Sequence, residues 1–278
     1  MIAPQAYARS LSRADFQFIT GILHEHTGIR LAPGKEALVA SRLDRRIRAL
    51  GLSGYADYVR LLQDRSGSGE LRQMIDLLTT NETFFFREEQ HFEFLRREVL
   101  PGRRAGRTFR LWSAASSTGE EAYTAAMVLA DVLPPGSWEI IGTDVSTRVV
   151  EGARTGLYPI AAAEKIPRQL LRRFCLKGRD EYEGLMTVNR ELRATVQFHC
   201  LNLIEDFAHL GKFDVIMLRN VMIYFDQDTK RSLVQRLQEM LVPGGHLIVG
   251  SSESLNAIPS RLRMVQPSIY AADGDGRG

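Results

Sequence analysis

Hydrophobic positions along this chain change their period near residue 105. Between 12 and 80 they recur at helical spacing, as Phe16, Ile19, Ile22 and Leu23, then Val39, Leu43, Ile47 and Leu50. "APG" (32–34), "LGLSG" (50–54) and "DRSGSGE" (64–70) punctuate that pattern, the last as a flexible turn. This predicts a helical domain of three or four helices. After 105 come short apolar runs: "TFRLWSA", "SWEIIGTDVS", "TVQFHCLNL", "KFDVIMLRNV" and "GGHLIVGSSE". Helical stretches such as "GEEAYTAAMVLADVL" and "QDTKRSLVQRLQEML" separate most of them. Such alternation predicts an α/β domain whose parallel sheet is covered on both faces, with strand C-termini gathered on one edge. The stretch of about fifty residues between "IGTDVS" and "TVQFHC" is longer than one crossover helix needs. Within it, "LKGRDEYEGLMTVNREL" (176–192) reads as a small inserted antiparallel flap. "NETFFFREEQHF" (81–92) reads as a helix whose aromatic side packs on the sheet, and the tail "DGDGRG" as disordered.

Composition adds limits. The 278 residues are 44% hydrophobic and 25% charged, which gives a soluble chain with ample core. No apolar run reaches the roughly 18 residues of a membrane span, and the N-terminus lacks the apolar core of a secretory signal. A cytoplasmic location is expected. Cys175 and Cys200 suggest neither a disulfide framework nor a metal site and are expected to be buried and inert. The net charge of +3 is mild, but arginines cluster at 41–50 and 96–110. Each cluster is either a solvated face or a surface for an anionic partner.

Four strand ends carry polar residues where such a sheet places its ligand. In the first turn Ser113, Ala114, Ala115 and Ser116 allow close approach, and Gly119 permits an unusual dihedral. Glu120 and Glu121 then enter the helix, as a capping box or as ligand groups. Asp144 ends the second strand, placed for ribose hydroxyls or for capping the next helix. Asn202 faces an adenine edge or caps a loop. In "LRNVMIYFD" (218–226), Arg219, Asn220 and Tyr224 interrupt an apolar strand end. Arg87, beside three phenylalanines, is either a partly desolvated charge or a partner of Glu88. Acids without a diphosphate loop point to S-adenosylmethionine, and the lone Gly119 argues against a dinucleotide.

"NETFFFRE", "LWSAASSTGEEAY", "GTDVS" and "LRNVMIYFD" together resemble the motifs of chemotaxis receptor methyltransferases, the CheR family. The resemblance runs over nearly the whole chain. It implies a Rossmann-like, class I S-adenosylmethionine methyltransferase sheet at 81–278, an all-α N-terminal domain at 1–80 for receptor recognition, and a β subdomain inserted at about 171–198. It implies methylation of glutamate side chains on the cytoplasmic helices of methyl-accepting chemoreceptors, with S-adenosyl-L-homocysteine as product. By motif position, Asn81, Thr83, Arg87, Glu121, Asp144, Asn202, Leu203, Arg219 and Asn220 would bind the cofactor. Arg87 and Tyr224 would stand at the methyl-transfer site. No metal, nucleic acid or membrane insertion is implied, and a monomer is expected. Some members dock a receptor C-terminal pentapeptide on a Gly-x-Gly-Pro loop. Here that loop reads Gly178-Arg179-Asp180-Glu181, without the second glycine and the proline, which leaves the pentapeptide an open partner.

A glutamate carboxylate, with a reference pKa of about 4.3, needs no general base. Anion and sulfonium become neutral products, so excluding water favours the reaction, and Phe84, Phe85, Phe86 and Tyr224 could form the wall. Arg42, Arg45 and Arg46 lie on a basic helix expected to align rows of receptor glutamates, Arg42 and Arg46 one turn apart. A nucleic-acid methyltransferase would want an Asn/Asp-Pro-Pro-aromatic tetrad where Asn220-Val221-Met222-Ile223-Tyr224 stands. A non-catalytic cofactor sensor would be expected to lack Arg87 or Tyr224, and both are present.

Overall fold

The computed structural model describes residues 10–64, 68–103 and 106–274. Parts of the expected turn at 64–70 (65–67) and of the expected disordered tail (275–278) lie outside the described residues. Contacts divide the chain into a helical unit, which runs to Thr80 and includes Tyr224–Asp226, and a sheet unit of Asn81–Ile223 and Gln227 onward.

The helical unit holds α1 (Arg13–Thr27), α2 (Glu36–Ala49), α3 (Tyr55–Gln63) and α4 (Ser68–Leu78). Ser12 starts α1 by accepting the Asp15 amide at 3.1 Å. Gly28, at φ 73, ends it by donating to the His24 carbonyl at 2.8 Å. Phe16, Ile19 and Leu23 on α1 and Val39, Leu43 and Ile47 on α2 are buried, one stripe each. Glu70 is buried too, and an unpaired carboxylate there would be costly. Arg46 meets it with Nε at 3.1 Å and Nη2 at 2.5 Å, and the Tyr58 hydroxyl donates at 2.8 Å. Arg42 donates to the Leu78 carbonyl at 2.6 Å and to Thr80 Oγ1 at 3.1 Å. Two of the three arginines expected to face substrate therefore brace α2 against α4 and its end, while Arg45 stays exposed. Residues 224–226 add to this unit through an Ile29–Phe225 bridge and the Arg30 amide, which donates to the Tyr224 carbonyl at 2.8 Å.

The sheet unit begins with a short helix, α5 (Gln90–Phe94), and a π-helical turn (Leu95–Val99). Then follow β1 (Phe109–Ser113), α6 (Glu120–Val132), β2 (Trp138–Asp144), α7 (Thr147–Thr155), β3 (Leu157–Pro159), α8 (Arg168–Phe174), β4 (Cys175–Lys177), β5 (Leu185–Val188), α9 (Arg190–Arg193), β6 (Val196–Cys200), β7 (Phe213–Leu218), α10 (Gln227–Glu239), β8 (Leu241–Val249), β9 (Arg263–Gln266) and β10 (Ile269–Ala271). The main sheet runs β6-β2-β1-β7-β8-β10-β9. Its first five strands are parallel, and β10 and β9 are antiparallel additions that the hydrophobic pattern did not announce. All six residues of β7 are buried, as a central parallel strand requires. Chain order reverses between β1 and β7, and in open α/β sheets a ligand binds at such a switch point, outside the carboxyl ends of the strands. Register sets Ser113 opposite Gly142 and Met217, and Asp144 opposite Cys200, so these strand ends share one edge. Gly142 is needed there, since a Cβ would stand 2.6 Å from the Phe198 ring.

Several sequence expectations change. The inserted antiparallel sheet, ordered β3-β5-β4, starts at Leu157 rather than near 171, because β3 pairs with β5 across the intervening α8. At its other end the insert stops short of 198, because Val196–Cys200 pairs in the main sheet as the run "TVQFHCLNL" predicted. Residues 81–89 are not helical: Phe86 and Glu88 have φ of 58° and 56°, and helix begins only at Gln90. Cys175 is half-buried and Cys200 exposed, so neither is a core residue.

Candidate active site

The turn after β1 is held by its neighbours' strand ends. The Ala114 amide donates to the Met217 carbonyl at 2.9 Å and the Ser116 amide to the Thr143 carbonyl at 2.8 Å. Asp144 then fastens two segments: Oδ2 accepts the Ser117 amide at 2.9 Å and Oδ1 the Ser146 amide at 3.0 Å. The carboxylate is thereby fixed at the strand edge, on the side where such a sheet places its ligand. No capping box forms. Gly119 is the N-cap of α6 at φ 96, without a side-chain cap, and Thr118 donates to Glu120 instead at 2.6 Å. The turn is also tied to the insert, because the Tyr158 hydroxyl on β3 donates to the Thr118 carbonyl at 2.8 Å.

Glu121 leads into the centre of the site. It accepts Ser113 Oγ at 2.7 Å and Arg219 Nη1 at 2.8 Å. Burial raises the Glu121 carboxyl above its ordinary range, and Arg219 and Ser113 offset only part of that. Arg219, 5% exposed, also donates through Nη2 to the Arg87 carbonyl and to Glu88 Oε2 at 3.1 Å. Glu88 accepts the Ser251 amide as well, at 3.1 Å, and the Asn220 side-chain amide at 3.5 Å. Burial pushes Glu88 up too, but Arg219 and the Ser251 amide outweigh it and leave the carboxyl below its ordinary value. A third carboxylate, Glu253, is buried and accepts the amides of Gly250 (2.7 Å), Asn220 (2.8 Å) and Ile223 (3.2 Å).

These bonds bring the 81–89 segment to the switch point. Ser117 Oγ donates to the Asn81 carbonyl at 3.0 Å. Phe85 is buried edge-on against Tyr158, ring centroids 4.9 Å apart. Arg87 is not paired with Glu88. Its Nη1 donates to the Glu82 carbonyl at 2.7 Å, and its guanidinium lies 5.8 Å from the Phe84 ring centroid. Thr83 is half-buried within the segment. His91, wholly buried, lies with Nδ1 3.3 Å from Glu88 Oε2 but out of line for a hydrogen bond, and burial lowers its pKa to about 4.

Of the sequence-predicted residues, Asn81, Arg87, Glu121, Asp144, Arg219 and Asn220 are linked at the ends of β1, β2 and β7. Asn202 and Leu203 follow β6, where the Asn202 carbonyl oxygen Oδ1 accepts the Ile204 amide at 3.3 Å and Leu203 is buried. Tyr224 groups with the helical unit. Glu253 and Tyr158 were missed, Glu88 was read only as an alternative partner of Arg87, and Ser113 only as a small residue that allows close approach. The acids in "FREEQ" and "SSES" were the only available signal, and it does not tell a clasping carboxylate from a surface one. The donor set suits a nucleoside with hydroxyls and a positive centre: fixed acids, small residues, and a turn without the glycines a diphosphate needs. Ser116 Oγ, buried and without a partner among the described residues, adds an unused polar group to that turn.

Comparison with known proteins agrees. Residues 81–271 match the family described as "CheR methyltransferase, SAM binding domain", and residues 14–79 match "CheR methyltransferase, all-alpha domain". The chain belongs to the CheR methyltransferase family. Among curated members, the chemotaxis protein methyltransferase of Escherichia coli K12 is 40% identical over 269 residues, covering 96% of this chain and 93% of that protein. Chemotaxis protein methyltransferase 2 of Pseudomonas aeruginosa is 40% identical over 265 residues, covering 94% and 93%. A solved N-methyltransferase, NodS from Bradyrhizobium japonicum, overlays on 60% of this chain and 63% of its own at 16% identity and a TM-score of 0.36, and the assignment does not rest on it. As a CheR methyltransferase with a SAM-binding domain, the protein is an enzyme whose cofactor is S-adenosylmethionine. No helix among the described residues is long and apolar enough to cross a membrane.

Proposed function

We propose that this CheR protein methylates the γ-carboxylate of glutamates on chemoreceptor cytoplasmic helices and so serves sensory adaptation. The full-length match to chemotaxis protein methyltransferases carries the reading. The site chemistry is consistent with it. Its acids are clasped by amides, hydroxyls or Arg219, and His91 is buried with a pKa of about 4, which leaves no poised general base in this cluster. A carboxylate nucleophile needs none.

When bound, S-adenosylmethionine supplies an electrophilic methyl group on a sulfonium. Asp144 would hold its ribose hydroxyls, Asn202 and Leu203 would flank the adenine, and Asn81, Thr83, Glu121, Arg219 and Asn220 would complete the cradle. Arg87 would orient the incoming carboxylate, with contact modest enough to avoid over-stabilising the ground state. Tyr224 is proposed as the second catalytic residue on the family resemblance alone. For receptor recognition by the helical unit, Arg45 is the most available of the three arginines, since Arg42 and Arg46 have internal partners. The protein is proposed to act as a monomer, and the tail pentapeptide is left out.

The test is incubation with methyl-labelled S-adenosylmethionine and a chemoreceptor cytoplasmic fragment. Label released by mild base is expected on peptides that carry glutamate. Label that resists base, or appears only on added DNA, would overturn the reading.

A further inference from the structure

Phe84 is unusual in its neighbourhood. Phe85 next to it is wholly buried and Phe86 half-buried, yet Phe84 is 40% exposed. Two cations attend its ring: the Arg87 guanidinium at 5.8 Å and Lys165 Nζ at 5.7 Å from the centroid. Lys165 ends a 3-10 turn (Ile160–Lys165) of the inserted subdomain, where Ala162 and Ala163 pack on the core and Lys165 itself is exposed. Among the described residues neither cation has a carboxylate partner, whereas Arg46, Arg96, Arg110, Arg173 and Arg219 all do. Like charges gathered without a counter-ion repel one another, and an anion arriving between them relieves that repulsion.

We propose that Lys165 is a substrate-positioning residue, which together with Phe84 and Arg87 receives two acidic side chains of the methylated helix. The inference rests on the function proposed above. Arg87 takes the reacting carboxylate and Lys165 a second acid about one helical turn away. Side chains so spaced have Cβ atoms roughly 5–6 Å apart, and two cations each within 6 Å of one ring centroid lie within reach of such a pair of long acidic side chains. Phe84 fixes both stems, because a cation over an aromatic face loses freedom to wander. The site would thereby prefer glutamates in acid-rich helices over isolated ones.

Kinetics with the intact enzyme decide it. Lys165→Glu and Lys165→Ala are assayed with a receptor cytoplasmic fragment, and affinity for S-adenosylhomocysteine is measured by calorimetry. Lys165→Glu is expected to raise KM for the fragment about tenfold or more, with kcat within about twofold and product affinity unchanged. Lys165→Arg should restore KM, and the difference between Lys165→Ala and wild type should shrink in ~0.5 M salt. An unchanged KM in Lys165→Glu, or an equal loss of product affinity, overturns the inference while wild-type methylation still supports the function. Wild-type protein that puts no base-labile methyl on the fragment overturns the function, and this inference with it.

Discussion

Arg219 is better described as a strut than as pocket lining. Its guanidinium joins Glu121, Glu88 and the carbonyl of Arg87, so the residue proposed to meet substrate is placed partly by a buried cation from another strand. Glu88→Gln keeps the shape and removes the charge. Leaving Arg219 with one carboxylate should lower unfolding free energy by ~1–3 kcal/mol in urea titration at neutral pH. A change below a few tenths would show the clasp is dispensable. His91 supplies the pH prediction. Its ordinary pKa of 6.5 falls to about 4 in the fold, so between these values the unfolded chain binds a proton that the native one does not. Stability is full above pH 6.5 and declines as pH drops toward 4, by on the order of 3 kcal/mol. His91→Phe should flatten that decline, to be read by urea titration at pH 7.5 and 5. At this scale Asp144 and Arg219 drew notice in the sequence because each interrupts an apolar strand end, and Glu121 because it opens the helix after the first strand's turn. Glu88 and Glu253 stayed hidden, because Arg219 and the Ser251 amide that meet the one, and the Asn220 and Ile223 amides that meet the other, are brought near only by the tertiary fold.

Among the elements, the alternation of apolar runs and amphipathic stretches made the five parallel strands and α6 and α10 readable. β9 and β10 were not, since four- and three-residue strands carry too little pattern. The 81–89 stretch misled for a different reason. Three phenylalanines in a row suggested an element packed on the sheet, but the segment takes left-handed conformations at Phe86 and Glu88 instead of helix, and its rings divide, Phe85 buried and Phe84 exposed. Gly119 could be read correctly as a backbone requirement. At φ 96 a Cβ would stand 2.9 Å from that of Ala153 and 3.1 Å from the Tyr158 hydroxyl. Gly119→Ala is expected to cost ~1–3 kcal/mol and to weaken S-adenosylhomocysteine binding at least tenfold. Calorimetry showing wild-type affinity would mean the turn adapts.

Across the whole molecule, contact grouping does not follow chain order. Residues 224–226 lie between β7 and α10 in sequence but belong to the helical unit, where Phe225 is buried and bridges Ile29. Phe225→Ala removes about 3–5 kcal/mol of packing typical for a buried phenylalanine. Hydrogen exchange should quicken in Arg13–Thr27 more than in Phe109–Ser113. The reverse order would refute that grouping. A split of this kind was unreadable in advance, since "MIYFD" looks like the continuation of a strand end.

The Tyr158 hydroxyl on the Thr118 carbonyl has a wider meaning. A rope tied at both ends pulls both ways: if that bond stiffens the turn after β1 when the insert is held still, then holding the turn still steadies the insert by an equal free energy. The three small strands are thus fastened to the turn that the proposed cofactor site uses.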